Sequence, residues 1–582
     1  MNNIKKSDKL ILQSILILVI SLAWITFLSA LLGIFYGTFI WGFFALLTIF
    51  FYKQKIITFS KPSQNFLTYI LISLSFALLI AFFTTPSIFS GRDQGSLSDA
   101  AILLSEHHNL ISHSTQSDIF FNINEKGKAL NFPGFFYTID GGLITQFPIP
   151  YIAFISVFFG TFGTAGFVVA NAILLFTFIL AITGVTAFYM NRNYTLIFLI
   201  TLLSSFSIGW FAKYTLSENI ASALIWSSLF LYIFLKESKN QITYFALISM
   251  ISLLLFTRIE GIWFFVIFSF LLLKNKNSKK FIGKDLWWRA IFPVTTLFVI
   301  FCTVLIVNNP FYITMIKAFL NSGTGSSGIT LFDKISYNFY IYSIYGLILP
   351  LFFTLIASII SFKQKRMRLA LLPIAIMFPL FLYYLFPQIS GDHPWMLRRF
   401  VSALLPATIL ISILLSYYIK PKNIYYKIFK YAIPVVIILA NIPSLILFLT
   451  YSENINLQSQ IHDISQNFRE NDLVLVDGTA TGDGWSMMTS QLNNLENKNA
   501  VYFFNIADLD KLDLTAYEKV FLITPNTNKE FYSKINNRFS YVNKYTLTTQ
   551  RLLTPDKKIF PHKFPKKENE NIYGTIYEIN LN

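Results

Sequence analysis

Long apolar segments recur along most of the chain and constrain its fold more than any other feature. About 20 apolar residues cross the roughly 30 Å hydrocarbon core of a bilayer as one helix. Only 13% of the 582 residues are charged, whereas soluble domains carry about 25%. The sequence therefore predicts a polytopic α-helical membrane protein with about thirteen spans, near residues 10–31, 35–52, 67–89, 164–189, 195–212, 218–236, 242–257, 259–274, 288–308, 338–361, 368–387, 398–419 and 430–450.

The positions of the basic residues predict the orientation of these spans. The net charge is +17, and its Lys and Arg residues cluster in alternate short loops: "NNIKKSDK", "YKQK", "NRN", "KESKN", "KNKNSKK", "KQKRMR" and "KPKNIYYKIFK". Basic loops of membrane proteins face the cytoplasm. We therefore expect a multi-pass protein of the plasma membrane with a cytoplasmic N-terminus and an extracytoplasmic C-terminus. The basic charge follows from this topology, and we expect no nucleic-acid partner.

Three longer segments fall on the non-cytoplasmic side in this topology. Residues 90–163 form a long loop with helix-like stretches, and residues 309–337 have a Gly/Ser-rich centre typical of a mobile loop. Residues 452–582 are polar and long enough for a small domain of their own. We expect a transmembrane domain over 1–451, which includes the external loop 90–163, and an extracytoplasmic domain over 452–582.

The C-terminal segment has the pattern of an α/β domain. The apolar runs "DLVLVDG", "AVYFFNI" and "YEKVFLITP" predict strands, and "GWSMMTSQLNNL" and "NKEFYSKINNRF" predict helices between and after them. Alternating strands and helices favour a small parallel sheet. The turn "DGTATGDG" lacks GxGxxG spacing and a basic phosphate ligand. Nucleotide binding is therefore an alternative to a domain that packs on the transmembrane part or helps to bind an acceptor.

The segment "SGRDQGSLSDAA" places Asp93 where the chain leaves an apolar run. Ionisable residues at such a boundary suggest function. The following residues, "SLSDAAILLSEHHNLI", predict an amphipathic helix in the interface, with Asp99 and Glu106 on one face toward water. The alternatives are that Asp93 caps this helix, because Asp is a preferred N-cap residue, and that the other two carboxylates form a solvated face.

The sequence gives little support for a metal or another cofactor. The stretch "EHHNLISH" contains His107, His108 and His113, but adjacent histidines point to different sides of a helix. The single cysteine, Cys302, excludes an intramolecular disulfide and a Cys-based metal site. A divalent metal stays open, and no residue is assigned to one.

Four basic residues lie at the expected external ends of spans, on the membrane face that carries Asp93. They are Lys213 in "FAKYTLSEN", Arg258 in "FTRIEGIW", and Arg398 and Arg399 in "DHPWMLRRF". Cations at this surface could bind a phosphate. In the alternative interpretation Arg258 only pairs with Glu260, and Lys213 only contacts lipid headgroups.

The order of these features resembles the GT-C superfamily of glycosyltransferases, such as the protein O-mannosyltransferases and the aminoarabinose transferases of lipid A. The shared features are an acidic residue after an early transmembrane helix, an interfacial helix, and then a Pro-containing segment, here "ITQFPIPYIAFISVFFGTFG". The family motif is often Asp-Glu, whereas this chain has "RDQG" with Gln94 in second place. Two N-terminal spans ahead of the loop also depart from the commonest arrangement in the family.

The resemblance implies transfer of a sugar from a polyprenyl-phosphate donor on the non-cytoplasmic face. It implies that Asp93 is the general base that deprotonates the acceptor hydroxyl. A lipid-linked donor keeps its chain in the bilayer and presents its sugar phosphate at the interface. An inverting transfer needs a base opposite the leaving phosphate and cations that stabilise that phosphate.

A second resemblance lies in "SGDHPWMLRRFVSALLP". Many GT-C enzymes have a His or acidic residue shortly before an Arg–aromatic pair, followed by a helix that runs to a proline. The matching residues here are Asp392, His393, Arg399, Phe400 and Pro406. Arg399 is the best single candidate for the donor phosphate, because a guanidinium binds phosphate through two hydrogen bonds. Which of Arg398 and Arg399 faces the site stays open. The resemblance covers about residues 67–450.

The leading hypothesis is therefore a membrane glycosyltransferase that acts on an extracytoplasmic lipid, glycan or protein acceptor. A related alternative is an oligosaccharide transferase with a polyprenyl-diphosphate donor, although no "WWDYG"-like motif occurs in the C-terminal segment. A lipid-linked sugar flippase or other transporter would place ionisable residues deep within spans. A non-catalytic sensor is a third class. Convergence of Asp93 and Arg399 on one cavity would favour the enzyme.

Overall fold

The computed structural model describes residues 4–238, 240–274, 292–307, 331–363, 393–482, 486–533, 538–553 and 564–580, together with Gly484 and a few single positions between 372 and 380. Among these residues, five helices are long and apolar enough to cross a membrane. They are α1 (Lys6–Leu31), α3 (Gln64–Phe82), α7 (Ala165–Tyr189), α10 (Glu218–Ser238) and α18 (Ile424–Leu449). The prediction of a multi-pass helical membrane protein is confirmed.

Three bent helix pairs bring the number of candidate spans to eight when each pair counts as one. The helices α8 (Arg192–Ser204) and α9 (Phe206–Ala212) meet at 59°, and α14 (Leu331–Ile344) and α15 (Ile348–Lys363) meet at 111°. In the third pair, a short segment that ends with α16 (Arg398–Val401) meets α17 (Leu404–Tyr418) at 60°. Five shorter apolar helices complete the set: α2 (Gly37–Lys53), α6 (Ile149–Phe162), α11 (Gln241–Thr257), α12 (Gly261–Lys274) and α13 (Phe292–Val307).

The exact number of thirteen spans is not established. Most of the span expected near 368–387 and most of the Gly/Ser-rich loop at 309–337 lie outside the described residues. The structure adds the apolar helix α6, which falls inside the loop expected at 90–163. At 14 residues α6 is short for a span, yet ten of these residues are buried against α1, α4 (Asp93–His107) and α7.

Side-chain caps fix the start of several helices next to the basic loops. The side chains of Ser63, Asn191, Asn240 and Asn423 accept hydrogen bonds from the backbone of the first helical turn that follows. Such caps satisfy N–H groups that the helix itself leaves without partners. At the centre of the bundle, α10 is almost wholly buried between α7 and α11. The first residue of α10 is Glu218.

The first external loop folds into helices and a small sheet. After α4 come α5 (Thr115–Asn124) and an antiparallel four-stranded sheet of order β2-β5-β4-β3, with β2 (Ile111–Ser112), β3 (Gly127–Lys128), β4 (Phe135–Tyr137) and β5 (Leu143–Thr145). The strand β1 (Ser90–Gly91), which is separated from α4 by Arg92, pairs with β7 (Ser486–Met487) of the C-terminal segment.

The C-terminal segment contains the expected α/β domain with an unexpected hairpin. The strands β6 (Leu473–Asp477), β8 (Asn499–Phe503) and β9 (Val520–Pro525) are parallel, with β6 between the other two. The long antiparallel hairpin β10 (Phe539–Leu553) and β11 (Lys566–Ile579) extends this sheet beside β9, in the order β10-β11-β9-β6-β8. The helices are α19 (Leu457–Ser465), α20 (Thr489–Asn494) and α21 (Lys529–Ser533). The prediction of a sheet-containing C-terminal domain is confirmed, although the sheet is mixed.

Candidate active site

A close backbone contact shapes the turn that carries Asp93. A Cβ atom at Gly95 would lie 1.3 Å from the carbonyl oxygen of Phe89, so only glycine fits there. Arg92 is the N-cap residue of α4, with an extended backbone, and Asp93 is the first helical residue. The glycine of "RDQG" therefore lets α4 pack directly against the backbone of Phe89, in the connection that follows α3. This geometry also answers the capping alternative, because Asp93 lies one position beyond the N-cap.

The side chain of Asp93 forms an ion pair with Arg398, which lies 305 residues later in the chain. The Asp93 side chain is 42% exposed and the Arg398 side chain is 20% exposed. A carboxylate in this position can still be reached by a hydroxyl group from outside the bundle. Arg398 is the first residue of the short helix α16, which follows directly on the buried residues Trp395 to Leu397. The burial of these neighbours fixes the position of Arg398.

Behind this pair, a buried carboxylate joins two arginines. Glu218 is 4% exposed and lies 2.8 Å from Nη1 of Arg258 and 3.8 Å from Nε of Arg398. Nη2 of Arg258 donates to Glu260 at 2.8 Å, and its Nη1 donates to Ser217 at 3.0 Å. A tight turn between α11 and α12 brings Arg258 and Glu260 together. Arg258 thus pairs with Glu260, but not with Glu260 alone, because it also contacts Glu218 and Ser217.

The network holds three carboxylates and two guanidinium groups, which gives the five groups one negative charge in all (−3 + 2 = −1). Charged groups away from water persist when they are paired and hydrogen-bonded. The deep members, Glu218 and Glu260, hold Arg258 from both sides. Arg398 is the member that reaches from the buried part of the network to the partly exposed Asp93. It can orient that carboxylate and contact an anion beside it.

The sequence alone makes Glu218 only a weak candidate, because a carboxylate at the start of a span could simply cap its helix. The signal that was present is its position at the start of α10 in "TLSENI", on the same membrane face as Asp93. Arg92 and Trp395 were also missed. The guanidinium of Arg92 lies 4.7 Å from the ring centre of Trp395, whose ring contacts Trp210 and Tyr214. These aromatic rings form a wall beside the Asp93 turn.

The structure separates the two neighbouring arginines. Arg398 contacts Asp93, whereas Arg399 is half-buried on the same short helix. The role of Arg399 as the phosphate ligand stays a prediction. His393 is buried, and its Nδ1 atom lies 2.9 Å from the hydroxyl of Tyr345. Asp392 lies outside the described residues. This segment therefore contacts Asp93 through Arg398, and the convergence of Asp93 with Arg399 on one cavity stays a prediction.

Lys213 is held by the backbone of another helix. Its ammonium group donates to the carbonyl oxygens of Phe448, Leu449 and Tyr451, at the end of α18. Three donors are all that a lysine has. Burial, with the nearby charge of Lys567, lowers its pKa to about 7. Lys213 therefore satisfies carbonyl groups at the C-terminal end of α18, and we leave it out of the proposed site.

The expected helix α4 is present, but most of its residues are buried, so it is not the amphipathic helix predicted, and its carboxylates do not share one solvated face. Burial raises the pKa of Asp99 to about 6, although the amide of Asn494 in α20 donates to it at 2.6 Å. Glu106 is exposed, and desolvation together with the charge of Asp99 raises its pKa to about 7. The expectation that Asp99 faces open water is wrong, because the C-terminal domain covers this side of α4.

The histidine-rich stretch assembles no recognisable metal centre. His113 lies 3.9 Å from Asp118 and 3.8 Å from Asp140, at the protein surface. Within the described ranges, no three His, Cys, Asp or Glu side chains are grouped as metal ligands.

Comparisons with known proteins find similarity to solved structures. No protein-family model and no curated protein sequence matches the chain. Similar solved structures include the crystal structures of ArnT from Cupriavidus metallidurans bound to undecaprenyl phosphate and in the apo state. The TM-scores are 0.47 and 0.46, with 10% and 9% sequence identity. Both alignments cover 88% of this chain and 98% of the ArnT chain. The assignment of the site rests on the geometry described above.

Proposed function

We propose that this protein is an integral membrane glycosyltransferase that moves a sugar from a polyprenyl-phosphate donor to an extracytoplasmic lipid, glycan or protein acceptor. The observation that carries the proposal is the Asp93–Arg398 pair, which joins a partly exposed carboxylate to a cation that can bind an anion, in the segment that follows the apolar helix α3. A soluble substrate would give no reason for this position, whereas a lipid-borne phosphate presents its reactive carbon there.

In the proposed reaction, Asp93 accepts the proton of the acceptor hydroxyl while the hydroxyl oxygen attacks the anomeric carbon. The bond between this carbon and the phosphate oxygen breaks, and the polyprenyl phosphate leaves with the electron pair. Attack from the side opposite the phosphate would invert the anomeric configuration. A guanidinium has five N–H donors, so Arg398 can stabilise the leaving phosphate without releasing Asp93. Arg399 on the same helix is the candidate for a second contact.

The proposed topology places the site and the C-terminal domain outside the cytoplasm. The basic loops, with their capped helix starts, then lie on the cytoplasmic side, where the positive-inside rule puts them. The protein would act in the plasma membrane, on donors whose sugar faces outward. The ion-pair network lies at helix ends: Glu218 begins α10, and Arg258 follows α11. This position suits interfacial transfer better than a transport path through the bundle.

The test is sugar transfer by the purified protein in nanodiscs, with a panel of radiolabelled polyprenyl-phosphate sugars and an extract of the native envelope as acceptor. We expect Asp93→Asn to lower kcat by at least about a hundredfold, since general-base catalysis contributes roughly 10²–10⁴-fold. The control is Asp463→Asn, an exposed carboxylate of α19. Equal transfer by wild type and Asp93→Asn would remove Asp93 from the mechanism. A wild-type protein that transfers from no donor would overturn the proposal.

A further inference from the structure

One short segment of the C-terminal domain contacts the turn before the Asp93 helix and the middle of that helix. At its start, Ser90 and Gly91 pair in antiparallel register with Met487 and Ser486. The hydroxyl of Ser90 also lies 2.6 Å from that of Thr489, and both residues are buried. These contacts lie three residues before Asp93.

The second contact lies about two turns along α4. The side-chain amide of Asn494 donates to Asp99 at 2.6 Å. Thr489 and Asn494 are the first and last residues of α20, so one helix of six residues contacts both the turn before α4 and α4 itself. We call residues 486–494 the clamp segment.

The rest of the first external loop is joined to the same domain. Ile119 and Phe120 of α5 lie in one apolar cluster with Leu473 and Val501 of the domain's sheet. The side chain of Asn131 donates to the carbonyl oxygen of Tyr502 at 2.7 Å. Buried apolar contacts of this kind resist separation from water. The external loop and the domain therefore behave as one structural unit on the membrane surface.

Two sets of contacts determine where Asp93 lies. From the bundle, Arg398 contacts its carboxylate, and from the domain the clamp segment contacts the backbone turn and the helix that carry it. In the part of the chain that the structure describes, the hydrogen bonds and ion pairs of Thr489 and Asn494 do not include Asp93 or Arg398. Any effect of the clamp segment on the reaction must therefore pass through the position of α4.

We infer that Thr489 and Asn494 are positioning residues, through which the C-terminal domain fixes the height of Asp93 above the membrane surface. This inference rests on the proposed function of Asp93 as the general base. A displacement of about 1 Å in a reacting group can cost roughly a hundredfold in rate. Loosening the clamp segment should therefore lower kcat while the donor still binds between the helices of the bundle.

The test compares Thr489→Val, which keeps the shape of the side chain and removes its hydroxyl, with Thr489→Ser, which keeps the hydroxyl. The matched control is Thr548→Val, an exposed threonine of the same domain. We expect Thr489→Val to lower kcat about ten- to a hundredfold, with an unchanged KM for the donor. Thr489→Ser should restore kcat, and Thr548→Val should behave as wild type.

Hydrogen exchange on the full chain in nanodiscs supplies a second readout that does not need activity. Amides of residues 90–101 should exchange faster in Thr489→Val than in Thr548→Val, while those of β6 stay unchanged. An unchanged kcat in Thr489→Val overturns the inference, even if exchange increases. If the wild type transfers no sugar, the proposed function fails. The exchange comparison then decides alone whether the clamp segment holds the Asp93 turn.

Discussion

Asp99 makes the contact between α4 and the C-terminal domain dependent on pH. Burial raises its pKa from 3.8 to about 6, so the closed contact binds a proton more tightly than an opened one does. A carboxylate with a raised pKa contributes stability below its ordinary pKa, and this stability is lost as the pH rises through the raised value. The contact should therefore be strongest in acid, weaken as the pH rises toward about 6, and change little above about pH 7.

The magnitude follows from the two pKa values. With 3.8 for the opened state and about 6 for the closed state, the free energy of opening falls by roughly 1.4 kcal/mol between about pH 5 and about pH 8. This change corresponds to about a tenfold loss of protection from hydrogen exchange. Glu106 is exposed, so its raised pKa is assigned no part of this change.

The assay is amide hydrogen exchange of α4 in nanodiscs across this pH range, corrected for the intrinsic pH dependence of exchange. In Asp99→Asn the amide oxygen can still accept from Asn494, but the titration is gone. We expect most of the slope to disappear and the protection near pH 8 to rise. Glu106→Gln should keep the part that belongs to Asp99. A wild-type profile without slope, or an equal slope in Asp99→Asn, would refute this reasoning.

Two further substitutions test the candidate site. Gly95→Ala should shift the Asp93 turn and lower transfer at least about tenfold, since overpacking against a backbone carbonyl forces a backbone shift; Gly42→Ala, whose added Cβ meets open space, should leave transfer unchanged. Glu218→Gln removes the charge between the two arginines and should destabilise the protein by about 1–3 kcal/mol, seen as a lower apparent Tm in nanodiscs. The exposed Glu470→Gln is its control, and an equal Tm for both variants would show that Glu218 does not hold the network together.

Local patterns predicted the parts of the molecule that local interactions decide. Apolar length identified the long helices, and strand–turn–helix alternation identified β6, β8 and β9 at nearly the observed positions. The 3.6-residue period of "SLSDAAILLSEH" predicted α4 and its buried face. In each case a few neighbouring residues carry the whole signal, because hydrogen bonding and burial repeat with the period of the element.

The features that the sequence did not predict depend on contacts between residues that are far apart in the chain. Nothing near Asp99 in the sequence shows that Asn494 will cover it, and nothing near Phe120 shows that its partners lie in β6 and β8. The residues of α6 fall in the predicted external loop, and the burial of this 14-residue helix against α1 and α7 is a property of the assembled bundle. Likewise, Glu218 resembles any helix cap until Arg258 and Arg398 lie beside it.

The apolar cluster that joins α5 to the sheet of the C-terminal domain has a consequence for the synthesis of the protein. Ile119 and Phe120 leave the ribosome well before Leu473 and Val501, with more than half of the chain between them. Contacts across such separations form late. Arg398 and the clamp segment also follow Asp93 by hundreds of residues. A growing chain therefore carries Asp93 for most of translation without Arg398 and the clamp segment, and these contacts are complete only when the last domain has folded.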